Sequence, residues 1–294
     1  MRAKAILPTG LTERALEKLG FQIGPQTDFH GLAAVYRAWG ESVPFDNAAK
    51  LIALRSGAAG NLPGIDAQEF FTNFLQYGIG GTCWTSSNAL YSFFLELGFN
   101  VKRLAGSMRD TGIISHGTTK ARIDGADWLI DSSMLTREPL PLSHDLHIGT
   151  DPIWGGEVEY TDGTHIIWWD AVPSPEFIPC RLLPHDVEYD FYLERYEASR
   201  TKSPFNERIY VRRNFPESIL VITGNRHFVK SANGVEATVL TEPQLEERLA
   251  EEAGFSPRII DRLRACGAIK ASMIPPDGPP PPIPGVRPSK RITQ

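Results

Sequence analysis

The spacing of apolar residues changes near residue 100, and this change constrains the fold more than any other feature of the chain. Before it, apolar residues recur at helical spacing in four segments, residues 12–20, 28–40, 67–78 and 83–98. After it they alternate, as in VKRLAGS, and two turn signals, Asp124-Gly125-Ala126 and Asp162-Gly163, separate predicted strands. The pattern predicts a helical unit followed by an antiparallel sheet or barrel.

Farther along, the chain predicts a short helix and then a second, smaller sheet. The segment VEYDFYLERYEAS is typical of a helix, and SILVIT, RHFVKS and VEATVL predict three strands of a meander. A last helix is predicted to begin at Thr241. Gln244 lies three residues later, which is the spacing of a capping box, and Gly254 is a typical stop.

Composition excludes several classes of protein. The chain has 294 residues, 41% of them hydrophobic, and a net charge of −5, so we expect no nucleic-acid partner. No apolar run approaches ~20 residues and the first residues lack a secretory signal, so we expect no membrane span and a cytoplasmic location. The three cysteines, Cys83, Cys180 and Cys266, form no CxxC pair, which argues against a disulfide framework or a zinc site.

The C-terminal segment, residues 274–294, is rich in proline. Eight of its 21 residues are proline, so it cannot bury a core, and we expect a disordered tail. A ligand for a proline-binding domain is the second interpretation of the same composition.

Cys83 stands at the predicted start of the fourth helix, directly after Gly80-Gly81-Thr82. A helix N-terminus presents unpaired N–H groups and partial positive charge, which stabilise a thiolate. The glycine pair would allow a sharp chain entry and leave room for an acyl group, and the N–H of Cys83 is a candidate oxyanion donor. The position fits a nucleophile, and it equally fits a structural cysteine at a buried helix start.

A cysteine nucleophile needs a base and a group that orients the base. His116 precedes a predicted strand, and the strand that returns from the hairpin ends in Asp131. A turn centred on Gly125 and Ala126 would pair Lys120 with Asp131 and put His116 on the same face, but ~13 Å further along. Contact between His116 and Asp131 would then require a bulge, twist or bend.

Other candidate sites are weaker. SHDLH places His144 and His147 three residues apart, but with one carboxylate nearby, so we expect no metal site. Neither a P-loop nor a GxGxxG motif is present, and the serines at 86 and 87 lack the GxSxG context.

The order Cys83, His116, Asp131, with the cysteine opening a helix and the other two on a hairpin, resembles the arylamine N-acetyltransferase family. That family is related in fold to transglutaminases and papain-like proteases. The similarity extends from about residue 11 to residue 265. Its specific motifs are VPFDN at 43–47, similar to the family's I-P-F-E-N, IGGTCWTSSN, similar to R-G-G-x-C-x-E-x-N, and HGTTKARIDGADWLID.

Together with the proline content of residues 274–294, the resemblance implies an α+β fold of three domains followed by a tail. These would be a helical domain at 1–98 carrying the nucleophile, a β-barrel domain at 99–198 carrying the histidine and aspartate, an α/β lid at 199–273, and the disordered tail at 274–294. It implies acyl transfer through a Cys83 thioester, with acetyl-CoA or another acyl-CoA as donor substrate, a small amine as acceptor and no bound cofactor. Phe45, Met134 and Phe205 are the expected substrate contacts.

The chain departs from the family pattern next to the nucleophile and the pocket. Ile79 replaces the motif's arginine, Thr85 its glutamate and Ser87 its asparagine, and Ser132-Ser133-Met134-Leu135 replaces the frequent V-G-F-G. These changes leave three functions open. The leading one is amine acetylation, the next is a transglutaminase-like or amide-synthase reaction, and the last is an inactive protein that binds partners through its tail.

Overall fold

The computed structural model describes residues 7–174, 176–275 and Val286. The predicted proline-rich tail lies almost entirely outside these residues. The described helices are α1 Thr9–Lys18, α2 Phe29–Ser42, α3 Ala48–Arg55, α4 Ala67–Tyr77, α5 Cys83–Glu96, α6 Tyr189–Ala198, α7 Glu242–Glu251, α8 Pro257–Ala265 and α9 Ala268–Ser272. None of them has the length and apolar character needed to cross a membrane.

Helix α5 is buried along most of its length and packs against α4 and α6. Trp39 of α2 stacks on Phe70 of α4 with ring centroids 5.9 Å apart, and Phe93 of α5 closes the cluster. Three of the four predicted helices are found where the sequence places them. The first begins at Thr9 rather than Thr12, and the pattern missed α3 because its buried face includes a lysine.

The largest sheet has eight antiparallel strands in the order β5-β4-β3-β2-β9-β8-β7-β6. Its strands are β2 Val101–Met108, β3 His116–Ile123, β4 Ala126–Ile130, β5 Leu140–Pro141, β6 His147–Ile148, β7 Gly156–Thr161, β8 Thr164–Trp169 and β9 Ile178–Leu182. The two ends of the sheet approach each other, because β5 at one end contacts β7, the strand next to β6 at the other end. A Cβ on Gly156 of β7 would lie 2.9 Å from the side chain of Leu140 of β5. The sheet is thus a nearly closed barrel around a core that includes Leu104, Leu129 and Val158.

Both predicted barrel hairpins are present. Their two-residue turns are Asp124-Gly125 and Asp162-Gly163, and all four residues have positive φ angles, as a type I′ turn requires.

The second sheet joins the N-terminal and C-terminal parts of the chain. Its order is β1-β10-β11-β12-β13, with strands β1 Phe45–Asp46, β10 Tyr210–Phe215, β11 Ser218–Thr223, β12 Arg226–Ser231 and β13 Gly234–Val239. Helices α7 to α9 cover a separate core on one face of this sheet. The predicted capping box of Thr241 and Gln244 opens α7.

The observed architecture confirms the predicted α+β class, with helices, a barrel and a helix-covered sheet. Helix α5 packs against barrel strands β2 and β3, so the first residue of α5 lies beside the first residue of β3. The domain boundaries at 98, 198 and 273 stay predictions.

Candidate active site

Cys83 is the first residue of α5, directly after the N-cap residue Thr82. Crowding of the backbone accounts for the two glycines before it. A Cβ on Gly80 would lie 1.9 Å from the carbonyl oxygen of Pro44, and one on Gly81 would lie 2.1 Å from Oγ1 of Thr85. Gly80 therefore lets the entry loop lie directly on the backbone of Pro44, and Gly81 leaves room for the side chain of Thr85. Cys83 itself is 7% exposed.

The nucleophile candidate and the base candidate lie side by side. The Cys83 sulfur is 3.7 Å from the carbonyl oxygen of Ser115, the residue before His116. Nε2 of His116 lies 2.6 Å from Oδ2 of Asp131. The other ring nitrogen, Nδ1, is therefore the one that can exchange a proton with the sulfur of Cys83.

The electrostatics of this cluster favour a charged imidazole. Burial alone would lower the pKa of His116. The charge and hydrogen bond of Asp131, together with those of Cys83, outweigh burial and raise that pKa to about 10. Burial pushes the pKa of Asp131 up, but His116 and two backbone N–H groups hold it below its usual value. The pair is therefore an imidazolium and a carboxylate at neutral pH.

The hairpin register explains why His116 and Asp131 meet. The turn consists of Asp124 and Gly125, and Thr119 pairs with Ile130. The expected pairing of Lys120 with Asp131 was wrong, because it placed the turn one residue too late. In the observed register Asp131 falls opposite Thr118, two residues from His116, so the separation along the strand is about 7 Å rather than ~13 Å. The side chains span that distance.

Asp131 is fixed from several directions. Its Oδ1 accepts hydrogen bonds from the backbone N–H groups of Ser133 at 2.8 Å and Met134 at 2.7 Å. The hydroxyl of Tyr36, on α2, accepts from the Asp131 N–H and donates to the Asp131 carbonyl. Tyr36 is fully buried, so the backbone of Asp131 is held by a rigid phenol.

The predicted substrate contacts occupy two places. Phe45 and Phe205 pack edge to face with centroids 5.3 Å apart, and Tyr210 contacts both rings. Asn47 holds this aromatic cluster, because its amide donates to the carbonyl of Phe205 and accepts from the N–H of Tyr210. Met134 packs instead against the barrel core, and its contact with a substrate stays a prediction.

Two buried charged groups next to the site were not identified from the sequence. Lys50, on α3, is 2% exposed and donates to Oγ of Ser199 at 2.8 Å. Burial lowers the pKa of Lys50 to about 8, and the charges of Cys83 and Glu197 oppose that shift. The ammonium thus lies within electrostatic reach of the sulfur. Its sequence signal is a lysine inside the apolar run AAKLIAL.

The second group is Asp46, the acidic residue of the VPFDN motif. Its two oxygens accept hydrogen bonds from the N–H groups of Gly80 at 2.6 Å and Ala48 at 2.8 Å, so it fixes the entry loop to Cys83. Burial raises the pKa of Asp46 to about 7, although both hydrogen bonds oppose this.

Asp46 should make stability depend on pH. Its folded-state pKa of about 7 lies above the ordinary 3.8, so the folded protein holds a proton that the unfolded chain releases. The stability that this proton contributes is complete below pH 3.8 and is lost as the pH rises to about 7. Relative to Asp46→Asn, the wild type should therefore lose stability over this range. Urea unfolding of both proteins at several pH values measures it, and a constant difference would contradict the assignment.

The departures from the family motif compensate one another. Ile79 and Thr85, which replace an arginine and a glutamate, are each 1% exposed, so losing both charges leaves no unpaired buried ion. Ser87 donates to the carbonyl of Gly117, and its Oγ lies 2.9 Å from Oγ of Ser132. The two substituted serines thus hold α5 against the hairpin.

Other groups lie away from this cluster. His144 stacks on Tyr160 at the barrel surface, and within the described part of the chain no group of three or more His, Cys, Asp or Glu side chains is arranged to hold a metal ion. Two surface grooves of about 170 and 230 Å³ share Lys120 and Asp127, and neither is lined by Cys83.

Part of the chain matches a known protein family in sequence. The sequence model of a family described as N-acetyltransferase matches residues 28–152, which include Cys83, His116 and Asp131. Within residues 28–152 the chain is similar to this N-acetyltransferase family. Over the rest of the chain, the solved structure described below shows a shared fold.

Three relatives illustrate the similarity. Proansamycin X synthase of Amycolatopsis mediterranei is 29% identical over 40% of this chain, and the alignment spans 46% of that synthase. The uncharacterized acetyltransferase YvcN of Bacillus subtilis is 25% identical over 79% of this chain and 93% of its own. The Mycobacterium marinum arylamine N-acetyltransferase in complex with CoA superposes with a TM-score of 0.77 at 14% identity, over 88% of this chain and 99% of its own.

Proposed function

We propose that the chain is an acyltransferase that forms a thioester on Cys83 and passes the acyl group from acyl-CoA to a small amine. The observation that carries this proposal is the cluster of Cys83, His116 and Asp131 at the N-terminus of α5. The arylamine N-acetyltransferase fold and the family match at residues 28–152 support it.

In the first half-reaction, the Cys83 thiolate attacks the carbonyl carbon of the acyl thioester. A carbon–sulfur bond to Cys83 forms and the bond to CoA breaks. The departing CoA sulfur takes a proton from the His116 imidazolium. The N–H groups at the start of α5, which have no partner within the helix, stabilise the negative charge on the carbonyl oxygen.

In the second half-reaction, an amine attacks the acyl-enzyme. The carbon–nitrogen bond forms, the neutral imidazole of His116 accepts a proton from the amine, and Cys83 leaves as a thiolate. Asp131 stabilises the resulting imidazolium and keeps the ring oriented. The imidazolium–thiolate pair is restored, and the product is an amide.

The alternative function is amide synthesis with a larger acyl chain. The similarity to a protein named a synthase supports this alternative. The 7% exposure of Cys83 and the nearby aromatic cluster of Phe45, Phe205 and Tyr210 favour a small acyl group instead.

Incubation with acetyl-CoA, propionyl-CoA or malonyl-CoA in the absence of an amine tests the proposal. We expect intact-protein mass spectrometry to find one acyl adduct, located on the Cys83 peptide and removed by adding an aniline. Protein that has first been alkylated with iodoacetamide is the control. Absence of any adduct, with Cys83 alkylated no faster than a free thiol, would favour the inactive binding protein.

A further inference from the structure

A buried guanidinium without a partner lies beside the proposed site. Arg212 is on β10, opposite Phe45 of β1, and is 4% exposed. Within the described part of the chain, no hydrogen bond or ion pair engages it, and its Nε is sealed from solvent without an acceptor. An arginine in this state is unusual, because buried charges are normally paired and hydrogen-bonded.

The strand geometry fixes the direction in which Arg212 points. Side chains alternate along β10, so Arg212 shares one face with Tyr210 and Asn214. Tyr210 contacts the rings of Phe45 and Phe205, and the Asn214 amide donates to the carbonyl of Leu135 at 2.5 Å. Arg212 therefore lies between the aromatic cluster and the segment 131–135 that begins with the proposed catalytic aspartate.

The nearby carboxylates are already engaged by other groups. Asp131 is bonded to His116 and to two backbone N–H groups, and Asp170 accepts from Nζ of Lys230 at 2.6 Å. Burial lowers the pKa of Arg212, and the charges of Tyr210, Asp170, Asp131 and Tyr36 only partly oppose this. These groups influence Arg212 from a distance, but none of them fills its hydrogen-bonding positions.

The next residue shows how this chain satisfies a structural arginine. Arg213 faces the other side of β10, where its Nε donates to the carbonyl of Glu41 and its Nη1 to that of Glu252. A purely structural role for Arg212 would call for acceptors of this kind, and it has none.

We propose that Arg212 recognises a carboxylate of the substrate, carried by the acyl donor or by the acceptor amine. This inference rests on the proposed acyl transfer for the identity of the site. The guanidinium fork matches a planar carboxylate with two parallel hydrogen bonds. Bound there, the carboxylate would hold the substrate against Phe45 and Tyr210, close to the segment that positions His116.

Matched pairs of ligands separate the two sources of the carboxylate. For the amine, calorimetry compares the dissociation constants of 4-aminobenzoate and 4-aminobenzamide, and this requires no turnover. For the donor, mass spectrometry compares the rates at which succinyl-CoA and butyryl-CoA acylate Cys83. In butyryl-CoA a methyl group replaces the carboxylate. The proteins are wild type, Arg212→Gln, Arg212→Lys and, as the matched control, Arg213→Gln.

We expect wild type to prefer the carboxylate member of at least one pair by about tenfold or more, the scale of a charge-assisted hydrogen-bond pair. Arg212→Gln should remove that preference, Arg212→Lys should keep part of it, and Arg213→Gln should keep all of it. If Arg212→Gln does not fold, Arg212→Lys alone tests the inference, because lysine keeps the positive charge but lacks the two parallel N–H donors of the guanidinium.

Two results would overturn the inference. In the first, wild type binds 4-aminobenzoate and 4-aminobenzamide equally well and is acylated at equal rates by succinyl-CoA and butyryl-CoA. In the second, wild type prefers the carboxylate member of a pair, but the Arg212 variants show the same preference. If 4-aminobenzoate binding depends on Arg212 but no donor acylates Cys83, acyl transfer is wrong and carboxylate recognition stands. If a donor acylates Cys83 but neither pair shows a preference for the carboxylate, acyl transfer stands and carboxylate recognition by Arg212 is wrong.

Discussion

Replacing Cys83 by serine should abolish the acyl adduct and lower the rate of acyl transfer by about 10⁴-fold or more. A serine hydroxyl stays protonated at neutral pH, so the pairing with the His116 imidazolium that activates a thiol is lost. The measurement is the rate of amide formation together with intact-protein mass after incubation with the acyl donor.

Cys266→Ser is the matched control, since Cys266 lies at the end of α8, where its sulfur is 3.4 Å from the carbonyl oxygen of Leu263 and packs beside the C-terminal core. That variant should acylate at the wild-type rate. An adduct that persists in Cys83→Ser would assign the chemistry to another side chain.

Replacing Asp131 by asparagine should lower the rate by about 10²–10⁴-fold, the range of general acid–base catalysis. The asparagine oxygen would take the hydrogen bonds from the Ser133 and Met134 N–H groups, which turns its NH₂ toward Nε2 of His116. That nitrogen must then accept, so the proton moves to Nδ1 and the imidazole is neutral. Without the carboxylate, burial lowers the pKa of His116.

The measurement is alkylation of the cysteine across pH together with the acyl-transfer rate. Asp127→Asn is the control, because Asp127 lies on the same hairpin but pairs with Lys120 and Arg122 at the surface. Equal alkylation of Asp131→Asn and wild type between pH 6 and 8 would show that the imidazolium does not activate the sulfur.

The ion pair of His116 and Asp131 should also make the stability of the folded protein depend on pH. The folded-state pKa of His116, about 10, lies above the ordinary 6.5, so its contribution to stability is complete below pH 6.5 and is lost as the pH rises toward 10.

Local sequence patterns were sufficient to place Cys83. A glycine pair, a small polar residue and a helical run of apolar residues predict both the start of α5 and its buried face, and the structure has both. This succeeds because helix entry depends on neighbouring residues. The contact between His116 and Asp131 depends on which two residues form a turn, and a shift of one residue there changed the expected separation by a factor of two.

The surroundings of the site could not be predicted from local patterns. Lys50 and Arg212 are buried because three separate parts of the chain meet around Phe45. A lysine or arginine is ordinarily a surface residue, so even the position of Lys50 inside the apolar run AAKLIAL does not by itself predict burial. Asp46 had a motif to mark it, but its hydrogen bond to Gly80 crosses 34 positions of the sequence.

The two-residue strand β1 has a mechanical consequence for how a substrate enters. Phe45 is paired on one side with Arg212 of β10 and bridges on the other to Gly81, two residues before the sulfur. A movement of the C-terminal sheet away from the N-terminal helices would therefore have to break the pairing of β1 with β10 or the bridge from Phe45 to Gly81, so the loop before Cys83 and the C-terminal sheet are mechanically coupled through one residue.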